Sequence, residues 1–129
     1  MNYYHAGVNK IQIFDYFDWD ENNINKTLIN GYGWETANDT NTTWRIGDGT
    51  AAFYNFIYMM FAGFTENDVI RSNLIRQNKL KRSKAIELIK DENLPRFPTL
   101  NWYLKLFDLN FNKTLETIVN KANQEKIIV

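Results

Sequence analysis

From Thr50 to Ala62 the chain reads TAAFYNFIYMMFA, thirteen residues of which only Thr50 and Asn55 are polar. No other stretch constrains the fold so strongly, because a helix that is apolar on nearly every face has to be enclosed by other elements. Asn55 interrupts it and it continues only to Phe64, short of the roughly 20 apolar residues that a membrane span needs. It is predicted to be a central core helix.

The approach to it, WRIGDGTAAFYN (Trp44 to Asn55), allows two readings. Gly47 and Gly49 at a helix start suggest a loop that cradles phosphate on backbone N–H groups, but a P-loop also needs a lysine and Ser/Thr at fixed spacing, and the lysine is missing. A tight turn with Asp48 or Thr50 as helix cap explains the same residues locally, and Gly63 suits the left-handed position at the far end. Arg45 is placed either to meet an anion or to pair with Asp48.

Other segments supply shorter helices. Asp18 to Asn23 can cap a helix carrying Ile24 and Leu28, stopped by Gly31 and Gly33. Thr65 and Asp68 form a variant capping box for a helix through about Gln77, with Val69, Ile70, Leu74 and Ile75 available to a core and Asn78 ending it. KRSKAIELIKD (Lys81 to Asp91) is amphipathic and is fenced off by Pro95 and Pro98. Thr99 is placed to cap a helix over Leu100 to Phe107, and Leu115, Ile118, Val119 and Ala122 mark a last one over about Asn112 to Gln124.

Two segments differ. KIQIFDYF (Lys10 to Phe17) alternates like a half-buried strand, which alone has no partner and therefore points to a second copy or a missing segment. ETANDTNTT (Glu35 to Thr43) has almost no apolar residue and reads as a solvated loop. The expected fold is mostly α, five or six short helices around a central apolar helix, with one or two short strands near the N-terminus. At 129 residues, 1–129 is expected to be one compact unit.

The function classes narrow by elimination. The absence of cysteine removes disulfides, thiolate chemistry and Cys-based metal sites. Fifteen basic residues balance fifteen acidic ones, so no overall field favours nucleic acid or an anionic membrane. The start, MNYYHAGVNK, has no signal-peptide pattern, and a cytoplasmic location is expected. His5 is alone and reads as a surface residue; Asp15, Asp18, Asp20 and Glu21 match no Ca²⁺ loop and read as an acidic turn. KLKRSK (Lys79 to Lys84) is a short basic run followed by acidic residues, the pattern of a solvated helix start. No nucleophile–base pair can be named.

One cluster stands out in DVIRSNLIRQNKLKR (Asp68 to Arg82). Arg71, Ser72, Asn73 and Arg76 on one helix could hold a phosphate or carboxylate through bidentate contacts. The competing reading is an exposed face with an Asp68–Arg71 or Asp68–Arg76 pair of small energetic value.

The strings TWRIGDGTAAFYNFIY (Thr43 to Tyr58) and AGFTENDVIRSNLIRQNKLKRSKAIELIKDEN (Ala62 to Asn93), with PRF, WYL and FDLNF after them, carry a family likeness. They resemble the C-terminal part of bacterial N-acetyl sugar amidotransferases of the lipopolysaccharide-biosynthesis type, in the PP-loop or N-type ATP pyrophosphatase superfamily. The likeness runs from Phe14 to about Phe111, and its most specific piece is G-F-T-x-x-D-x-x-x-S-x-x-I-R, Gly63 to Arg76. Two places depart from the family pattern: Asn78 stands at a glycine position, and of the Thr-Arg-Glu-Glu helix start only Arg82 remains among Lys81 to Lys84.

The resemblance implies an ATP- and Mg-dependent enzyme that adenylates a sugar and transfers ammonia from a partner glutaminase. Its S-G-G-x-D-S nucleotide loop is not in this sequence, so the chain is expected to be non-catalytic alone and to dock on an ATP-binding PP-loop domain, in cis or in trans. Arg45, Asp48, Arg71, Ser72, Asn73 and Arg76 are then the candidates to face a nucleotide-sugar substrate or that domain. The alternative is a non-catalytic interaction module that forms a homodimer through exposed aromatics.

Overall fold

The computed structural model describes residues 10–13, 16–40 and 49–125. Among them are six helices: α1 (Glu21–Tyr32), α2 (Thr50–Ala62), α3 (Glu66–Arg76), α4 (Arg82–Glu92), α5 (Phe97–Lys105) and α6 (Phe111–Glu125). The mostly helical architecture matches the expectation. No described helix is long and apolar enough to cross a membrane.

The chain divides into two compact units, Met1–Trp34 and Glu35–Val129. In the first, the Asp20 side chain caps α1 by accepting from the Asn23 backbone N–H, and Gly33, with φ of 63°, ends it. The strand expected over Lys10 to Phe17 is not formed in its described residues: the backbone N–H groups of Tyr16 and Phe17 both donate to the Ile13 carbonyl, each at 3.1 Å. Without a neighbouring strand to complete a ladder, the carbonyl is satisfied by a local turn instead. Phe14 and Asp15 of that stretch, and His5, lie outside the described residues.

The second unit has its core where α2, α5 and α6 pack on one another, with α3 paired to α4 beside them. Ala52, Phe56 and Leu100 form the buried centre, and Phe53, Met60, Phe111, Leu115, Ile118 and Val119 pack against it. The expectation of a central apolar helix holds: α2 meets both α5 and α6. On α3, however, Val69 is not a core residue but 46% exposed.

Helix ends explain several boundaries. α2 begins with Gly49 as its N-cap, at φ of 84° and with no side-chain cap, so Thr50 is the first helical residue rather than the cap. A Cβ on Gly49 would lie 2.4 Å from Cδ2 of Tyr103 on α5. Both the backbone conformation and the close approach of α5 therefore require glycine there. α5 begins at Phe97, before the predicted Leu100, and Pro98 sits inside its first turn, where no N–H is needed. Two helices close on non-glycine residues in the left-handed region, Asn78 after α3 and Asp108 after α5. The N–H groups that follow them, of Lys79 and Leu109, return to the carbonyls of Leu74 and Leu104 at 2.9 and 3.0 Å.

Candidate functional site

The most specific sequence pattern, Gly63 to Arg76, folds around the N-terminus of α3. Thr65 is extended and its hydroxyl accepts from the Asn67 backbone N–H at 3.1 Å. In return the Thr65 N–H donates to the Asp68 carboxylate at 2.8 Å, completing the predicted capping box. The box is not isolated. Asn93, just beyond α4, donates from Nδ2 to Asp68 at 2.8 Å and accepts from the Thr65 hydroxyl at 2.5 Å. Asn67 Nδ2 reaches the Glu92 carbonyl at 2.9 Å, and Asn55 on α2 accepts from the Glu66 N–H at 3.0 Å. The start of α3 is thereby tied to the end of α4 and to the middle of α2.

One turn further along α3, Arg71 points into the same region and is only 8% exposed. Its Nε donates to Glu92 Oε2 at 3.0 Å while Nη2 binds the other oxygen, a bidentate pair between α3 and α4. Such an arrangement holds the guanidinium plane in one orientation. Neither pairing expected for Asp68 with Arg71 or Arg76 forms, because Asp68 serves the cap and Arg71 serves Glu92.

The other candidates sit elsewhere. Five residues along a helix rotate the side chain by about 140°, and Arg76 is exposed, with its guanidinium donating to Asn73. Asn73 is exposed and Ser72 half-buried. Arg45 and Asp48 lie outside the described residues. Among the described candidates, Asn73 and Arg76 are joined to each other by a hydrogen bond.

Sequence reasoning missed a second polar cluster within the same unit. Asp39, in the segment read as a solvated loop, is held at the N-terminus of α5. Its Oδ1 accepts from Arg96 Nε at 2.9 Å, and its Oδ2 from the Thr99 backbone N–H at 3.1 Å and the Thr99 hydroxyl at 2.6 Å. The side chains of Arg96 and Asp39 are 10% and 17% exposed. Burial raises the Asp39 pKa, but the hydrogen bonds from Thr99 and Arg96, with the guanidinium charge, outweigh it and hold the carboxyl below its usual range. Thr99 was expected to cap α5; instead its own N–H is capped by Asp39, sixty residues earlier in the chain. The only local hint was Asp39 itself, one of two acidic residues, with Glu35, in a polar segment.

Between the two clusters lies a small cleft of about 30 Å³, with Asn55, Thr65, Glu92 and Arg96 on its polar part and Phe56 and Met59 on its apolar part. That volume is of the order of one or two water molecules. A wider groove of about 610 Å³ runs outside it, between α2 and α3, lined by Tyr54, Tyr58, Phe64, Glu66 and Val69. The Tyr54 hydroxyl donates to the Glu66 carboxylate there. Tyr58, Phe64 and Val69 are each close to half exposed.

Among the described residues no three His, Cys, Asp or Glu side chains gather into a group that could hold a metal ion. No family model matches the chain, and no curated protein or solved structure matches it.

Proposed function

We propose that this chain is the C-terminal helical region of an ATP-dependent sugar amidotransferase of lipopolysaccharide or O-antigen biosynthesis, working in the cytoplasm. The single observation that carries the reading is the pattern from Gly63 to Arg76. Its Thr65 and Asp68 form a cap network, while Ser72, Asn73 and Arg76 remain on the outer part of α3. In this reading the region hydrolyses nothing alone. It completes the pocket for a nucleotide sugar, with Arg76 meeting the phosphates, and docks on a PP-loop domain that binds ATP and Mg and receives ammonia from a glutaminase.

The α2–α3 groove supports the docking half of the proposal, because contiguous exposed apolar side chains mark contact surfaces. Arg71 supports the pocket only indirectly, by fixing α3 against α4 through Glu92. Isothermal titration of the chain with UDP-N-acetylglucosamine and other UDP-sugars, in the presence of a PP-loop domain of the resembled family, tests it. Binding heat that is lost in Arg76→Ala but kept in Lys121→Ala is the expected result. No heat with any UDP-sugar would remove the pocket role.

A second reading is a non-catalytic module that self-associates. Exposed Trp102, Leu106, Phe107 and Leu109 around the end of α5 favour it. Light scattering on the eluting protein separates the two, since a stable homodimer that ignores the PP-loop domain supports the module.

A further inference from the structure

Residues 35–40 carry no helix or strand, and the Asp39 side chain among them is bonded to the start of α5. The Asp39 carboxylate receives Arg96 Nε at 2.9 Å, Thr99 N at 3.1 Å and Thr99 Oγ1 at 2.6 Å. Both oxygens are used, and both partners belong to one rigid object, the first turn of α5. Arg96 is oriented in turn by its own Nη2 hydrogen bond to the Thr99 hydroxyl at 3.2 Å.

The rest of the segment is attached differently. Glu35, Thr36, Ala37 and Asn38 stand with Pro98 and Trp102 around an open cleft of about 330 Å³. Thr36, Ala37 and Thr40 are half-buried and Glu35 and Asn38 exposed, and the Asp39 carboxylate supplies hydrogen bonds from this stretch to α5. Helix α5, by contrast, is anchored from its other side by Leu100 and Leu104, which are fully buried.

We infer that Asp39 is a latch that closes residues 35–40 as a strap over the Pro98–Trp102 side of α5, and that releasing it opens the strap while the helical unit stays folded. This inference is independent of the sugar amidotransferase reading. Opening uncovers the cleft face of Trp102 and frees the first turn of α5.

The test uses the full chain, with Asp39→Asn removing the charge while keeping the size, and Thr99→Val removing the hydroxyl donor while keeping the backbone N–H. Amide hydrogen exchange reads the latch at Thr99 and the strap at residues 36–39. Fluorine NMR of 5-fluorotryptophan protein reads Trp102, whose resonance is assigned by its loss in Trp102→Phe. In Asp39→Asn the Thr99 and strap amides are expected to exchange about ten- to a hundredfold faster, the loss that follows from breaking hydrogen bonds to a charged group. Trp102 is expected to shift, the circular dichroism of the helices to stay unchanged, and Thr99→Val to give a smaller change in the same direction. Unchanged Thr99 exchange and an unmoved Trp102 signal in Asp39→Asn would overturn the latch. Loss of the helical signal in that variant would overturn it equally, because Asp39 would then hold the whole unit rather than a strap.

Discussion

Arg71–Glu92 and Arg96–Asp39 are both arginine–carboxylate pairs with side chains no more than 17% exposed, the first through both carboxylate oxygens and the second through Oδ1 alone, but they tie down different things. The first joins two regular helices whose ends are already interlocked through Thr65, Asp68 and Asn93. The second joins one helix to an irregular segment with an open cleft beside it. Loss of the pair is therefore expected to act globally in one place and locally in the other. What surrounds an ion pair decides how far its loss spreads.

Breaking the first clamp should have the largest effect. Arg71→Ala leaves Glu92 buried without its partner and should cost about 3–5 kcal/mol in urea unfolding. A loss below 1 kcal/mol would mean that α3 and α4 are held mainly by other contacts. Gly49→Ala comes next, because the added methyl meets Tyr103 at a backbone conformation that L-residues avoid. A cost of about 2–4 kcal/mol is expected from strain and overpacking together, measured as a lowered thermal midpoint.

The second clamp should respond to acid. Its folded pKa lies below the ordinary carboxylate value of 3.8, so the unfolded state binds the proton more readily. The contribution is fully present above that ordinary value and is lost as pH falls through the depressed one. The Thr99 amide shift followed by NMR should therefore titrate in the acid range, and Asp39→Asn should abolish that step. A Thr99 titration that survives in Asp39→Asn would assign the step to another group. The smallest effect belongs to Lys121→Ala, which removes an exposed pair with Glu125 at 2.7 Å and should change stability by no more than about 0.5 kcal/mol. A larger change would show that the exposed pairs also carry the fold.

The sequence was legible where the signal is local. The capping box of Thr65 and Asp68, the stop at Gly63 and the apolar face of α6 all lie within a few residues of what they control, and each appears as expected. It was not legible where the partner is distant. Nothing near Arg71 announces Glu92, 21 residues away, and nothing near Thr99 announces Asp39. The same limit explains the strand expected at Lys10 to Phe17. Alternation gives a pattern, but a strand exists only when a neighbour supplies the other half of its ladder. At Gly49, the turn was readable while its second cause, the ring of Tyr103, was not.

The contrast between the two clamps is tested most directly by native-state hydrogen exchange of the unmodified chain across low urea concentrations. The amides of α3 and α4 should exchange only with global unfolding, showing the full urea dependence, while the Thr99 amide should open at lower free energy with almost none. Equal opening energies and equal urea slopes for Arg71 and Thr99 would contradict the account, since both clamps would then belong to one cooperative unit.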